Sequence, residues 1–449
     1  MLKTLLKLAW PIVLARSAQS VIGFSDALMS ASLGQSSLAA VTTGGLNFFA
    51  MVIFPMGLAY ILQSFAAQWK GKGDLAAARR YGHYGLILSA LFLLLGFAAP
   101  FGVDSFLSLF PYEANVRDPM RAYLVIRFTS LGAVVATEVL GNWFGGLGNT
   151  RLQMIAGLVA MVFNVVLNYM LIGGHWGAPA LGVAGAAWAS SIATWCGVSV
   201  LLWAFVARKM TGKIEGPLNL RLSEFLRMLR FGVPHGFNWF LEFTAFWIFI
   251  TVVIAKLGTT VLAAFMVVMQ INSVSFMPAF GMSSAGAILA GQAIGEGKKN
   301  DVPRVLKSTL MITCLWQGSI GLIYFLLPGP LISMFAPTGT EAAEMLRVGG
   351  TMLALSACWQ LCDAVVISLS EILRAAGDTT WCLWARVVLA WFMFMPAAYY
   401  VVSVRQQGYV AAMLCLMGYL TLLAIVFVWR FRSGAWRKID LTGAHEPAL

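Results

Sequence analysis

The stretch LGQSSLAAV at residues 33–41 returns as LGTTVLAAF at residues 257–265, an offset of 224 positions (257 minus 33). The same register continues to residue 80 without a gap. Apolar helices match one another by chance in leucine and alanine, but much less often in glycine, glutamine and arginine. The matched pairs of these types include Gly57 and Gly281, Gln68 and Gln292, Gly71 and Gly295, Gly73 and Gly297, and Arg80 and Arg304. The chain therefore contains two copies of one structural unit.

The composition is that of a membrane protein. Hydrophobic residues make up 60% of the 449 residues, charged residues make up 11%, and the mean hydropathy is +0.81. A membrane helix needs about 20 apolar residues, whereas the strands of a membrane barrel are segments of about ten residues with alternating polarity. Twelve candidate helices begin near residues 9, 43, 84, 121, 152, 181, 230, 262, 305, 348, 381 and 409.

The net charge is +12, and the basic residues are distributed unevenly among the predicted loops. Lysine and arginine are concentrated in the loops on the side of the N-terminus, for example at Lys70, Lys72, Lys298 and Lys299, and are sparse in the opposite loops. By the positive-inside rule, both termini face the cytoplasm. This sorting predicts a multi-pass protein of a plasma membrane, taken here as a bacterial inner membrane, and excludes nucleic acid as a partner.

The repeat predicts the domain organisation. A weaker echo pairs GLGNTR at 146–151 with AAGDTT at 375–380, so six spans are followed by six more. Because six is even, the two copies have the same orientation in the membrane. We predict an all-α polytopic membrane protein with twelve transmembrane helices in two pseudo-symmetric six-helix bundles facing a central cleft. The predicted parts are an N-terminal lobe (1–207), a cytoplasmic linker (208–229), a C-terminal lobe (230–432) and a cytoplasmic tail (433–449).

The sequence carries no sign of an enzyme. Its four histidines are scattered without an HExxH pattern, and it has no Walker A motif for ATP. All six cysteines fall in predicted spans, so no disulfide framework is expected. We expect no cofactor, and if the function is transport, an ion gradient rather than ATP would drive it.

Carboxylates inside the predicted spans are the strongest functional signal. A charge at the centre of a membrane helix costs about 2.5 to 3.5 kcal/mol, so such groups usually mark a cavity or a partner. Asp26, Glu242 and Asp363 lie well inside spans and have no basic residue within four positions. Glu138 and Glu371 are weaker candidates, because each could reach a membrane interface. A buried carboxyl group can hold either a proton or a cation, as exchange requires.

Two amides in the fifth span accompany these acids. Asn164 and Asn168 are four residues apart and so share one helix face. Their oxygens suit a hard cation or a hydrogen bond with a carboxylate. Packing between helices is an equally good explanation of the pair.

Several motifs, in order along the chain, resemble the MATE (multidrug and toxic compound extrusion) transporters, in particular the NorM-like branch. PIVLARSAQSVIGFSDALMSASLG at 11–34 resembles the first helix of that family. LAAFMVVMQINSVSFMPAFGMSSAGAILAGQAIGEGKKND at 262–301 resembles its eighth helix and the loop after it. The stretch from Asn164 follows the fifth and sixth helices, and QLCDAVVISLSEILRAAGDT at 360–379 follows the tenth.

The resemblance implies a monomer with two six-helix lobes that exports small organic cations across the lipid bilayer in exchange for protons or sodium ions. It implies an ion site in the N-terminal lobe at Asp26, Asn164, Asn168 and Ser190, with sodium as a candidate ligand of the first three. Glu242 and Asp363 correspond to the acidic pair of the C-terminal lobe. Glu138, Gln270 and Glu371 are weaker candidates for substrate binding.

Departures from the family pattern affect these expectations. Many relatives have aspartate where this chain has Asn168, which removes a charge, weakens a sodium site and favours proton coupling. Phe265 and Met266 replace a usual His-Gln pair. Arg16 and Glu371 stand where relatives are commonly uncharged, so the substrate range is expected to differ.

Two alternatives stay open at this point. A lipid-linked oligosaccharide flippase of the same superfamily would need a basic cavity for a pyrophosphate group, and Arg16, Arg127 and Arg386 all lie in predicted spans. A membrane scaffold that does not transport would pair its intramembrane acids with basic residues.

Overall fold

Among residues 1–110, 112–208, 218–335 and 341–443, which the computed structural model describes, there is no β-strand. Eleven helical segments in these ranges are long and apolar enough to cross a membrane, and one bent helix pair completes a set of twelve. The all-α, twelve-span prediction is therefore confirmed. The remaining residues, which include parts of the predicted linker and tail, lie outside the described ranges.

The first nine helices precede the predicted linker. They are α1 (Leu2–Ala31), α2 (Gln35–Tyr60), α3 (Leu62–Gly71), α4 (Leu75–Ala98), α5 (Pro100–Leu107), α6 (Ala114–Phe128), α7 (Leu131–Gly146), α8 (Thr150–Gly173) and α9 (Val183–Val206).

Eight more α-helices lie among the described residues from Leu222 onwards. They are α10 (Leu222–Ile248), α11 (Thr259–Gly295), α12 (Val302–Leu326), α13 (Pro328–Ser333), α14 (Glu341–Ala375), α15 (Thr379–Val387), α16 (Met395–Tyr399) and α17 (Tyr409–Arg432). Short π-helical segments, Phe249–Ile254, Val388–Phe394 and Tyr400–Val404, extend α10, α15 and α16.

The fourth predicted span is broken rather than continuous. Helices α6 and α7 meet at a bend of 49° around Thr129 and Ser130. Both hydroxyls donate to carbonyl oxygens three residues earlier, Thr129 to Ile126 at 2.6 Å and Ser130 to Arg127 at 2.7 Å. Such local hydrogen bonds compete with the helical backbone pattern, which explains the break.

The described chain forms two compact units. The first unit consists of Trp10–Gly236, and the second unit consists of Met1–Ala9 together with Phe237–Leu449. Helix α10 begins at Leu222, inside the segment predicted as a linker. Its first turn is held in the first unit, because Glu224 accepts two hydrogen bonds from Arg80, at 2.9 and 3.0 Å, and one from Tyr84 at 2.8 Å.

Backbone geometry repeats with the sequence. Gly34 before α2 has φ of 99°, and its repeat partner Gly258 before α11 has φ of 105°. A positive φ strains any residue with a Cβ atom, so both copies need glycine there. Two other pairs from the repeat also match, with φ of 79° and 78° at Gly73 and Gly297, and of 83° and 90° at Gly148 and Gly377.

Close helix packing in the first unit brings distant side chains together. Gly185 of α9 faces the backbone of α8, and a Cβ atom there would collide with the carbonyl group of Leu171. Small residues of this kind allow two membrane helices to approach closely. This approach brings the inner face of α8, with both predicted asparagines, against α9.

Candidate functional site

Asp26 of α1 lies in a cluster of neutral hydrogen-bond donors in the first unit. Asn164 Nδ2 and Asn168 Nδ2 donate to its Oδ1 at 2.9 and 2.6 Å. Ser190 Oγ of α9 donates to its Oδ2 at 2.7 Å. The structure thus brings together, on three helices, all four residues predicted for the N-terminal ion site.

The cluster has its own internal order. Asn164 Nδ2 also donates to Ser190 Oγ at 3.0 Å, and Asn168 Nδ2 donates to Asn164 Oδ1 at 3.1 Å. Both asparagines are fully buried, and Asp26 is 8% exposed. Within the described part of the chain, Asp26 forms no ion pair. Neutral dipoles are therefore all that the described residues offer its charge directly.

The cluster also contains an oxygen atom without a hydrogen bond among the described residues. Asn168 Oδ1 is buried and accepts no hydrogen bond from the described residues. Amide and carboxylate oxygens are hard ligands of the kind that sodium prefers, so a sodium ion at Asp26, Asn164 and Asn168 stays a prediction. One buried carboxylate with neutral neighbours is equally suited to hold a proton.

The two predicted acids of the second unit have different partners. Glu242 of α10 forms an ion pair with Arg386 of α15. Asp363 of α14 instead accepts a hydrogen bond from Gln317 Nε2 of α12 at 2.8 Å, and it forms no ion pair with any described residue. The resemblance groups these two acids as one acidic pair. In the structure, however, an arginine balances the charge of Glu242, whereas Asp363 has only a neutral hydrogen-bond donor among the described residues.

Polar residues that sequence reasoning missed complete this site. Asn238, one turn before Glu242 on α10, lines a small pocket with Glu242, Arg386 and Trp391. Asn238 Oδ1 and Gln317 Oε1 are buried and accept no hydrogen bond from the described residues. The spacing of Asn238 and Glu242, four residues apart on one helix face, was the signal that could have identified the first of them.

Glu138 and Glu371, the weaker candidates for substrate binding, are both buried in the protein. Glu138 accepts two hydrogen bonds from Arg16, at 2.8 and 3.0 Å, and is 3% exposed. Glu371 is 4% exposed and pairs with Arg374, one turn along α14, at 2.5 Å. Both carboxylates therefore have an ionic partner, and their predicted role in substrate binding stays a prediction.

Among the described residues, no hydrogen bond joins Gln270 to either cluster. It is exposed on α11, and its backbone carbonyl accepts a hydrogen bond from Ser273 Oγ at 2.6 Å. Its predicted contact with substrate stays a prediction.

Most residues of the two clusters lie in sequence segments matched by one family. The MatE family model covers residues 11–170 and 234–400. The chain belongs to the MatE family. The matched segments contain Asp26, both asparagines, Glu242 and Asp363, whereas Ser190 falls between them. This MatE protein also spans a membrane many times by the length and composition of its helices.

Relatives of this MatE protein extend over almost all of its length. It is 27% identical to the probable multidrug resistance protein NorM of Neisseria meningitidis serogroup B, over 95% of this chain and 93% of that protein. It is also 27% identical to the probable multidrug resistance protein NorM of Thermotoga maritima, over 97% of this chain and 93% of that protein.

Solved structures agree in fold. A MATE protein crystallised in complex with MaL6 superposes with a TM-score of 0.88 at 21% identity, covering 98% of this chain and 97% of that one. At this level of identity the likeness shows the MATE fold and carries no information on substrates.

Proposed function

We propose that the protein is a secondary antiporter that exports cationic or amphipathic organic compounds in exchange for protons or sodium ions by alternating access. The observation that carries the proposal is the environment of Asp26. This carboxylate is buried in a membrane helix, and neutral donors are its only direct partners among the described residues. A group in that setting marks an ion or substrate path more often than a packing contact.

The coupling follows from competition for the same charges. With a proton or sodium ion on a carboxylate, its attraction for an organic cation is lost, and the reverse also holds. Two alternating conformations then suffice to exchange one for the other. The names of the relatives, multidrug resistance proteins, support the substrate class proposed here.

The contacts of the intramembrane arginines count against the flippase alternative. Arg16 and Arg386 are each paired with a glutamate. Arg127 lies over the Phe48 ring, with its Cζ atom 4.5 Å from the ring centroid. A pyrophosphate group would have to compete with these acids for Arg16 and Arg386, which is unfavourable.

The scaffold alternative predicted that intramembrane acids pair with basic residues. Glu138, Glu242 and Glu371 do so. Asp26 and Asp363, however, form no ion pair with any described residue. A buried acid and a half-buried acid inside membrane helices, both without an ionic partner among the described residues, are costly in a scaffold and useful in an antiporter.

The remaining parts of the proposal concern cellular context. We propose a monomer in a bacterial inner membrane, with both termini in the cytoplasm and no cofactor other than the coupling ion. The excess of lysine and arginine in alternate loops supports the orientation.

The test is transport of ethidium by the purified protein in liposomes, with proton and sodium gradients imposed separately. We expect one of the two gradients to drive uptake against the dye gradient. The matched variants are Asp26→Asn, which should abolish stimulation, and Asp104→Asn, which removes a carboxylate from the exposed Asp104–Arg121 pair and should not. Stimulation by neither gradient in the wild-type protein would refute the antiporter.

A further inference from the structure

Arg386 is a buried cation held in place by three other helices of the second unit. It is 8% exposed, although it lies in the apolar span Thr379–Val404. Its Nη1 contacts Glu242, its Nη2 donates to Ser370 Oγ at 3.2 Å, and its Cζ atom lies 5.7 Å from the Phe427 ring centroid. A guanidinium held by contacts on several sides is a fixed element of its site.

The charges around Arg386 do not cancel. Ser370, which Arg386 contacts, lies on α14 about two turns after Asp363 and on the same helix face. Glu242 and Asp363 contribute two negative charges when ionised, and Arg386 contributes one positive charge, so these three side chains together have a net charge of −1. Because Glu242 is already paired, the remaining negative charge belongs to Asp363. Asp363 has only the neutral donor Gln317 as its hydrogen-bond partner among the described residues.

We propose that Arg386 is a tethered counterion of Glu242, which leaves Asp363 as the one exchangeable carboxylate of the second unit and makes this unit select organic monocations over dications. The inference rests on the proposed function for the identity of the transported compounds. It makes Arg386 a specificity-determining residue and gives the two acids separate roles.

The small pocket beside Arg386 is lined by groups that can contact a cation. Beside Arg386 it presents the carboxylate of Glu242, the amide oxygen of Asn238 and the indole ring of Trp391. Carboxylate and amide oxygens accept hydrogen bonds from an ammonium group, and an indole face attracts cations. Arg386 occupies part of this favourable environment, as a transported cation would.

The physical basis of selection is electrostatic. A monocation matches the single exchangeable charge of the cluster. A dication brings a second positive charge near the buried guanidinium, where the low dielectric constant strengthens repulsion. Removing the guanidinium would leave two carboxylates uncompensated and would favour the dication.

The decisive experiment compares ethidium, a monocation, with propidium, a dication that shares its ring system. Equilibrium binding to purified protein and uptake into liposomes are measured for the wild-type protein and Arg386→Gln. We expect the wild-type protein to prefer ethidium and the variant to shift the binding ratio towards propidium by about tenfold, equivalent to 1.4 kcal/mol. Arg430→Gln is the matched control, because Arg430 pairs with Asp378 elsewhere in the same unit.

A second comparison separates the roles of the acids and protects against a misfolded variant. Glu242→Gln leaves Arg386 uncompensated and should weaken ethidium binding at least about tenfold. The double variant Glu242→Gln/Arg386→Gln should restore ethidium binding, because Asp363 keeps its charge. Adding Asp363→Asn should abolish ethidium binding both in the wild-type protein and in the double variant.

The outcomes distinguish the two proposals. If the wild-type protein transports dye but Arg386→Gln leaves the dye ratio unchanged, or the double variant fails to recover, the counterion role is wrong and antiport stands. If the binding ratio shifts as expected but no gradient drives uptake, antiport is wrong and the counterion role stands. Failure of the wild-type protein to bind either dye overturns the inference.

Discussion

The two units hold their intramembrane acids in different ways. Asp26 of the first unit is surrounded by neutral donors from α8 and α9. Glu242 of the second unit is paired with an arginine, and Asp363 lies on a separate helix with a glutamine partner. The first unit thus concentrates its exchangeable charge on one group, whereas the second divides three charges among three helices.

This difference arises within a shared backbone. The repeat glycines have nearly equal φ angles in both copies, yet the counterpart of Asp26 at the same offset is Ile250, in the π-helical segment Phe249–Ile254. Glycine geometry is dictated by helix connections, which the two units have in common. Charged side chains are not needed to form those connections, so they are free to differ between the copies.

The largest expected effect concerns the buried ion pair between Arg16 and Glu138 in the first unit. Glu138→Gln should lower the stability of the protein in detergent by about 3 to 5 kcal/mol, because it leaves Arg16 buried without its charge partner. Thermal unfolding measures the loss. The double variant Arg16→Met/Glu138→Met should recover most of it, and a double variant as unstable as the single one would contradict this explanation.

The next effect concerns the neutral cluster itself. Asp26→Asn should abolish the stimulation of ethidium transport by an ion gradient, because a neutral amide can neither release a proton nor attract a cation by its charge. Thermal stability should not fall, because the variant removes a buried charge without leaving an unpaired one. A destabilised variant would mean that Asp26 has a structural role, and the comparison between units would lose its basis.

A third effect tests how the first unit assembles its site. Gly185→Ala should destabilise the protein by about 1 to 3 kcal/mol, because the added methyl group forces α9 away from α8. The same displacement should weaken the contact of Ser190 with Asp26 and so slow transport. Gly102→Ala is the control, since a Cβ atom there meets nothing within 4 Å. Equal behaviour of the two variants would show that close packing is not required.

The smallest effect contrasts buried with exposed ion pairs in the first unit. Arg121 donates to Asp104 at 2.6 Å, and this hydrogen bond lowers the pKa of the fully exposed Asp104 carboxyl group. A lowered folded-state pKa gives stability that is present above the unfolded pKa and lost as the pH falls through the folded value. Because the pair is exposed, Asp104→Asn should leave the unfolding temperature unchanged at pH 7. A loss comparable to that of Glu138→Gln would show that burial does not decide the strength of these pairs.

Much of the candidate site was predictable from local pattern. The acids stood out because a charge in an apolar span is costly, and Asn164 and Asn168 share a face by their spacing alone. The partners of the glutamates were not predictable, because Arg16 and Glu138 are 122 residues apart in sequence. No spacing rule connects residues on helices so far apart in the chain. The bend near Ser130 was also missed, since hydroxyl groups bend only some of the helices that contain them.

The sequence by itself determined that this protein crosses a membrane, that it contains two copies of one unit, and where its glycine turns fall. These properties follow from hydropathy, repeat register and backbone sterics, all of which act locally along the chain. Only the tertiary structure decided which acids are compensated, by pairing Glu138 with Arg16 and Glu242 with Arg386 while leaving Asp26 and Asp363 with neutral partners. The reason is that electrostatic compensation depends on distances between helices, which packing sets.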